Sequence, residues 1–159
     1  MGRRANLALA YIAGFLDGDG SLMLQIKHRK DGKRNWRFMA TICLYQDIRH
    51  EETLHWIRKI LGIGYISHRN DGITELRING FSQVEKTLSN LLPHIRFKKV
   101  QASQLLEAVR LLSVKPLRLL SESDLRQLVG NILAIQSENY ATKSKKSKDE
   151  LFVRLGLTP

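Results

Sequence analysis

The chain has 159 residues, 26 of them Lys or Arg and 15 Asp or Glu, for a formal net charge of +11. That length fits one domain, the 43% hydrophobic content sets it apart from a charged disordered tail, and no run of about 18 uncharged apolar residues is present to span a membrane. Its one cysteine, Cys43, allows neither an intramolecular disulfide nor a multi-cysteine zinc site, and the first residues lack the small-residue cleavage site of a secretory signal, so the expectation is a reducing compartment and a polyanionic partner, most simply nucleic acid.

Residues 7–16 are apolar on every side and include Ala8, Ala10, Ala13 and Gly14, which reads as a buried, closely packed helix. It stops at Asp17-Gly18-Asp19-Gly20. Residues 21–27 then alternate strictly, with Leu22, Leu24 and Ile26 on one face. A turn at Asp31-Gly32 leads to a second alternating run, Trp36, Phe38, Ala40, Ile42 and Leu44 inward and Arg37, Met39, Thr41, Cys43 and Tyr45 outward, so the pair reads as a long hairpin. Helical spacing over 49–61, in Leu54, Ile57, Ile60 and Leu61, ends at Gly62-Ile63-Gly64. A second hairpin spans 65–69 and 73–79 across Asn70-Asp71-Gly72, with Ile66, Leu76 and Ile78 inward. Ser82 and Glu85 read as a capping box opening a helix that stops at Pro93, and further helices are expected over 99–112, 123–136 and 149–155. Helix, hairpin, helix, hairpin, helices describes an α+β domain, one antiparallel sheet with helices on one face, with 1–137 as its core and 138–159 as a basic tail and short helix.

The positive charge is clustered. Lys27, Arg29, Lys30, Lys33, Arg34 and Arg37 crowd the first hairpin, and Lys143, Lys145, Lys146 and Lys148 form a second run near the end. Either run alone could be a solvated face; two of them flanking a structured body favour phosphate contacts. The outward sheet face collects Gln25, Lys27, Arg29, Arg37, Cys43, Ser67, Arg69, Glu75 and Arg77. Such side chains reach base edges, Arg and Lys toward guanine, Gln toward adenine, Glu toward cytosine, although a plain polar sheet face is the alternative.

Asp17 and Asp19 stand at a helix C-terminus, where a carboxylate is disfavoured by roughly 0.3–1 kcal/mol because unsatisfied carbonyls point there. A hard cation such as Mg²⁺, taking carboxylate and carbonyl oxygens, removes the conflict; a surface turn is the reading that composition alone also fits. An EF-hand is excluded by count, since the sixth position from Asp17 is Leu22 and the twelfth is His28. Two other patterns read as decoys. His50-Glu51 through His55 has a five-residue spacing that turns the second histidine off the shared helix face, and Asp31-Gly32-Lys33 reads as a hairpin turn.

Leu9-Ala10-Tyr11-Ile12-Ala13-Gly14-Phe15-Leu16-Asp17-Gly18-Asp19-Gly20 resembles the motif of the LAGLIDADG homing endonucleases, and the order of elements after it is similar to theirs. Gly62-Ile63-Gly64-Tyr65 and residues 93–101 resemble the single-motif, intron-encoded members of algal chloroplasts. The resemblance implies an αββαββα fold with a curved sheet, a homodimer packed through Ala10, Ala13 and Gly14 with Asp17 structural near the interface, and one active site per DNA strand. It implies Asp19 as the metal-ligating carboxylate beside the Gly18 carbonyl, with Mg²⁺ as cofactor and Mn²⁺ or Ca²⁺ able to take the site. It places Gln46 and Lys98 around the attacking water, and His50 where the family often carries an arginine. Implied with these are site-specific cleavage of a long pseudo-palindromic duplex in intron homing, an organelle location, and no membrane partner or small-molecule cofactor. The alternative is a non-cleaving binder of the same fold, an RNA-splicing maturase or a DNA-binding regulator.

Overall fold

The computed structural model describes residues 2–30, 35–139 and 144–158. The expected turn at Asp31-Gly32 and the lysine Lys143 lie outside these. Helix α1 (Arg3–Asp19) runs without a loop into β1 (Gly20–His28), which pairs with β2 (Trp36–Asp47). Helix α2 (Glu52–Leu61), the hairpin β3 (Tyr65–His68) and β4 (Ile73–Asn79), and helices α3 (Phe81–Leu91), α4 (Lys99–Val114), α5 (Glu122–Glu138) and α6 (Lys148–Leu155) follow. The four strands form one antiparallel sheet in the order β1-β2-β4-β3, so the second hairpin inserts its later strand beside β2. None of the described helices is long and apolar enough to cross a membrane.

The period-2 pattern decides which face packs. Leu22, Leu24 and Ile26 of β1, Phe38, Ala40, Ile42 and Leu44 of β2, and Leu76 and Ile78 of β4 are all buried, and they meet Leu16, Leu54, Ile57, Leu88, Leu105 and Val109 from the helices. Burying each of the Leu, Ile and Phe side chains contributes about 1.5–3 kcal/mol, so this face fixes the register and turns the polar set to the opposite face.

Three expectations are corrected. Helix α1 is not buried all round: Leu9, Ile12, Ala13 and Leu16 face the core, while Leu7 (64% exposed), Ala10, Tyr11 (54% exposed) and Gly14 face out. In α2, Ile60 is exposed although its spacing suggested packing, because the short helix turns it away from the sheet. Ser82 and Glu85 form no capping box; α3 starts at Phe81 with Gly80 before it, which puts Ser82 inside the helix. A capping box does open α5, where the Ser121 hydroxyl accepts from the Asp124 N–H at 3.1 Å and the Asp124 carboxylate accepts from the Ser121 N–H at 2.7 Å.

Lys115 also pairs with Asp124, and these partners hold its carboxyl at about 2, below the usual 3.8. A depressed carboxylate stabilises the fold above its unfolded pKa and loses that contribution as pH falls through the folded value. Asp124→Asn is therefore expected to lower the melting temperature at neutral pH, and the gap to wild type should close between pH 4 and pH 2. Thermal unfolding across that range checks it; a gap that ignores pH overturns the assignment. Ser121→Ala should cost about 1 kcal/mol.

Candidate active site and nucleic-acid interface

The end of α1 is built by one buried acid and one half-buried lysine. Asp17 is 9% exposed; its Oδ2 accepts from the Arg96 N–H at 2.7 Å and its Oδ1 from the Lys98 N–H at 2.9 Å, which ties the segment before α4 to the helix end. Lys98 returns across the same junction, its Nζ donating to the Leu16 carbonyl at 3.0 Å and to the Asp17 carbonyl. A helix C-terminus leaves carbonyls without intrahelical donors, and an ammonium answers both their hydrogen-bonding need and their partial negative charge. Burial pulls the Lys98 pKa below the ordinary lysine value, with the charges of Asp17 and Asp19 opposing.

Asp19 contrasts with Asp17. It is exposed and makes no hydrogen bond or ion pair among the described residues, with Lys98 as a charged neighbour. Its oxygens remain available, beside exposed Gly18, at the end of a helix that disfavours a bare carboxylate. Hard oxygen donors suit Mg²⁺, which binds through one or two carboxylates and keeps waters and phosphate oxygens in its other positions. Among the described residues no three His, Cys, Asp or Glu side chains converge to hold a metal, so Asp19 would share an ion with water, phosphate or a second chain.

Gly20 sets the direction in which the chain leaves this site. It caps α1 with its N–H on the Leu16 carbonyl, and a Cβ built on it would meet that oxygen at 2.7 Å and the Leu16 Cα at 2.8 Å, besides the Leu16 side chain. Backbone cannot yield as a side chain can. Gly20→Ala is expected to destabilise by about 1–3 kcal/mol and to displace Asp19. Denaturant unfolding measures the first; a variant as stable as wild type contradicts the close approach.

Gln46 is the last but one residue of β2, two beyond Leu44, the register partner of Gly20, and so lies at the sheet end where α1 delivers Asp19. Its Oε1 accepts from the Asp47 N–H at 2.8 Å, and its amide NH₂ makes no hydrogen bond among the described residues. His50 is exposed in the 3₁₀ turn Ile48–His50 and makes no hydrogen bond or ion pair with Asp19, Gln46 or Lys98. Beside it, Arg49 clamps Asp47 through N–H, Nε and Nη2 at 2.8 to 3.0 Å, holding that carboxyl at about 2. Glu51 accepts from the Thr74 hydroxyl at 2.7 Å and pairs with His68 Nε2 at 2.7 Å, with His55 at 4.0 Å. It joins α2 to the second hairpin, in keeping with the decoy reading.

The face away from the helices is assembled in rows across the strands. Ser21, Cys43, Arg77 and Tyr65 form one row; Tyr45, Glu75 and Ser67 form another; Gln25 stands opposite Met39 and Lys27 opposite Arg37. Arg29 and Lys30 extend the basic end beyond β1, where the Arg29 N–H donates to the Asn35 carbonyl at 2.8 Å, and Lys145 is exposed near the C-terminus.

Three residues expected at interfaces are placed elsewhere. Cys43 has no exposed surface: it sits in an inner strand beneath longer neighbours, with the Ser21 hydroxyl and the Tyr45 phenol hydrogen-bonded at 2.8 Å close by, and burial pushes its thiol pKa up. Glu75 is 4% exposed with both carboxylate oxygens turned to arginines, so it is not a free acceptor for bases. Ala13 is fully buried in the chain's own core and offers nothing to a partner, unlike Ala10 and Gly14. Conversely, Phe97 escaped the sequence reading. It is 86% exposed, held out between Arg96 and Lys98 by the Asp17 brace, and an aromatic between basic residues outside any periodic element carries no burial signal. Tyr11 and Trp56 likewise meet edge to face, with centroids 5.5 Å apart, on the exposed side of α1 and α2.

Residues 12–107 match the LAGLIDADG endonuclease model, and the chain belongs to that family. It is 34% identical over 104 residues to the DNA endonuclease I-CvuI of Chlorella vulgaris, a match covering 65% of each chain. It is 28% identical over 101 residues to the DNA endonuclease I-CreI of Chlamydomonas reinhardtii, covering 64% of this chain and 61% of that one. Each match thus spans less than two thirds of the relative's length. In three dimensions it superposes on I-CvuI, crystallised with the I-CreI target in the presence of Mg with the DNA not cleaved, at a TM-score of 0.86 and 26% identity, covering 98% of this chain and 96% of that one.

Proposed function

We propose that the chain is one half of a homodimeric, divalent-metal-dependent endonuclease that cuts both strands of a long pseudo-palindromic DNA target, the step that initiates intron homing. The observation that carries this reading is Asp19, an exposed carboxylate without a hydrogen-bond partner among the described residues, at a helix C-terminus, next to a half-buried lysine and at the edge of a basic sheet face. Asp19 and the Gly18 carbonyl would hold the metal. A bound Mg²⁺ neutralises charge on the scissile phosphate and lowers the pKa of water, and Mn²⁺ or Ca²⁺ suits the same oxygen donors. Gln46 offers its amide NH₂ to the water network. Lys98, anchored by the helix carbonyls, sets a hydrogen-bond donor beside the place where the phosphate arrives. His50 has no counterpart contact that gives it a role of its own.

The exposed side of α1, with Leu7, Ala10, Tyr11, Gly14 and Gly18 at helical spacing, is the dimer surface, since small residues there allow close backbone approach. Two-fold symmetry supplies one Asp19 per strand and a target with matching half-sites. Gln25, Lys27, Arg37, Ser67, Arg69 and Arg77 face the groove, and Arg29, Lys30, Lys143 and Lys145 hold phosphates. The algal sources of I-CvuI and I-CreI support a chloroplast location.

Incubating the protein and Mg²⁺ with a randomised duplex library, then sequencing cut molecules, tests the activity and yields the target. Recovery of one pseudo-palindromic site supports it; a pool that is bound but never cut leaves the non-cleaving binder. On the recovered site, affinity should fall about 10³-fold or more between 50 and 200 mM salt, as for six or more phosphate contacts. A flat dependence removes the phosphate-holding role of the basic loop and tail.

A further inference from the structure

Glu75 stands in β4, one of the two inner strands, on the sheet face that carries Lys27, Arg37 and Arg77, yet only 4% of it is exposed. An ionised carboxylate removed from water needs charge-assisted partners. Its Oε2 accepts from Arg77 Nε at 2.6 Å and its Oε1 lies 3.5 Å from Arg69 Nη1, while Arg69 Nη2 reaches Asp71 Oδ2 at 2.5 Å. In the cross-strand row of Arg77, Cys43 is wholly buried, so the layer beneath the guanidinium is closed.

The nitrogen that Arg77 gives to Glu75 is the inner one of its guanidinium. That leaves the two outer nitrogens, coplanar and a third of the side chain still exposed, as donors for an incoming acceptor pair. Such a pair is what O6 and N7 of guanine present in the major groove. A fork already held in one plane also loses less rotamer freedom on binding than a free one. The charge balance agrees: a bare carboxylate on this face would repel a polyanion, whereas Glu75 lies between two guanidiniums.

We infer that Glu75 is a positioning residue for base recognition, touching no DNA itself and holding Arg77, and more loosely Arg69, in the orientation that reads guanine. This rests on the proposed reading of the sheet as the DNA-facing surface. It replaces the role expected from composition, in which Glu75 accepts directly from cytosine.

Wild type, Glu75→Gln, Glu75→Ala, Arg77→Ala and Arg77→Lys are each given a library of duplexes randomised in the half-sites with Mg²⁺; bound and cut pools are sequenced separately, and each melting temperature is recorded. Arg77→Ala and Arg77→Lys should lose a guanine preference at one position of each half-site. Both Glu75 variants should lose it at that same position, by about 5- to 150-fold, with preferences elsewhere kept. Loss of a cytosine preference at a position that Arg77→Ala leaves intact overturns the inference, because Glu75 then reads DNA directly. A uniform loss across all sites that tracks the fall in melting temperature overturns it too, as packing alone. So does an Arg77→Ala pool with every preference intact. A wild type that enriches sites in the bound pool but cuts none refutes the nuclease reading, while the bound pools still decide the role of Glu75.

Discussion

Asp19→Asn is expected to leave the chain folded and able to bind its target while lowering strand cleavage by at least about 10³-fold, the several kcal/mol that a metal contributes to a transition state of growing charge. The structure separates these effects. Asp19 is exposed and makes no hydrogen bond among the described residues, so the nearly isosteric amide removes no fold contact. It removes the negative charge that a hard cation needs. Asp17→Asn is the control with the opposite profile: its carboxylate is nearly buried and takes two N–H groups, from Arg96 and Lys98, so the amide strands one donor and lowers stability by about 1–3 kcal/mol. Thermal unfolding, binding and cleavage measured on both variants check the division. If Asp19→Asn cuts at the wild-type rate, the carboxylate is not the metal ligand and the proposed chemistry fails.

Gly14→Leu is expected to break the proposed dimer without harming the chain. A Cβ at Gly14 meets nothing within 4 Å inside the chain, and leucine in a helix is favoured over glycine by up to about 1 kcal/mol, so the single chain should be no less stable. At a helix–helix contact built on close approach, each leucine costs about 1–3 kcal/mol, and two-fold symmetry places it twice, which weakens self-association by about 30-fold or more. Sedimentation should show wild type as a dimer and the variant as a monomer at the same concentration, with double-strand cutting lost in parallel. An unchanged dimer would place the interface away from this side of α1.

What the sequence displayed and what it hid follow from the range of the interactions involved. The strands were legible because the alternation in Leu22, Leu24, Ile26 and in Phe38, Ala40, Ile42, Leu44 is local and has a fixed period. The two-sided character of α1 was not: an all-apolar helix gives no clue to which side its own core takes and which is left for another surface, and only the packing separates Ala13 from Ala10 and Gly14. Ser82 and Glu85 had the spacing of a capping box but not the position, because Gly80 ends β4 and starts α3 two residues earlier than the motif suggests. Parity put Cys43 and Glu75 on the outer face; burial depended on the flanking strands, which pairing in the order β1-β2-β4-β3 supplies. Asp19 stood out for its position at a helix end. The part played by Asp17 depended on Arg96 and Lys98, some eighty residues further along, beyond any local pattern.

Helix α1 and strand β1 meet at Gly20 with no intervening residue. In the proposed dimer, the segment that sets the distance between the two chains is continuous with the segment that carries the carboxylate and with the first strand that faces DNA. Nothing between them can hinge. Such a dimer would act as a caliper of fixed opening: substitutions along the sheet would retune which bases are accepted on the two arms of a target, while the gap between the two cuts would be set by a helix crossing.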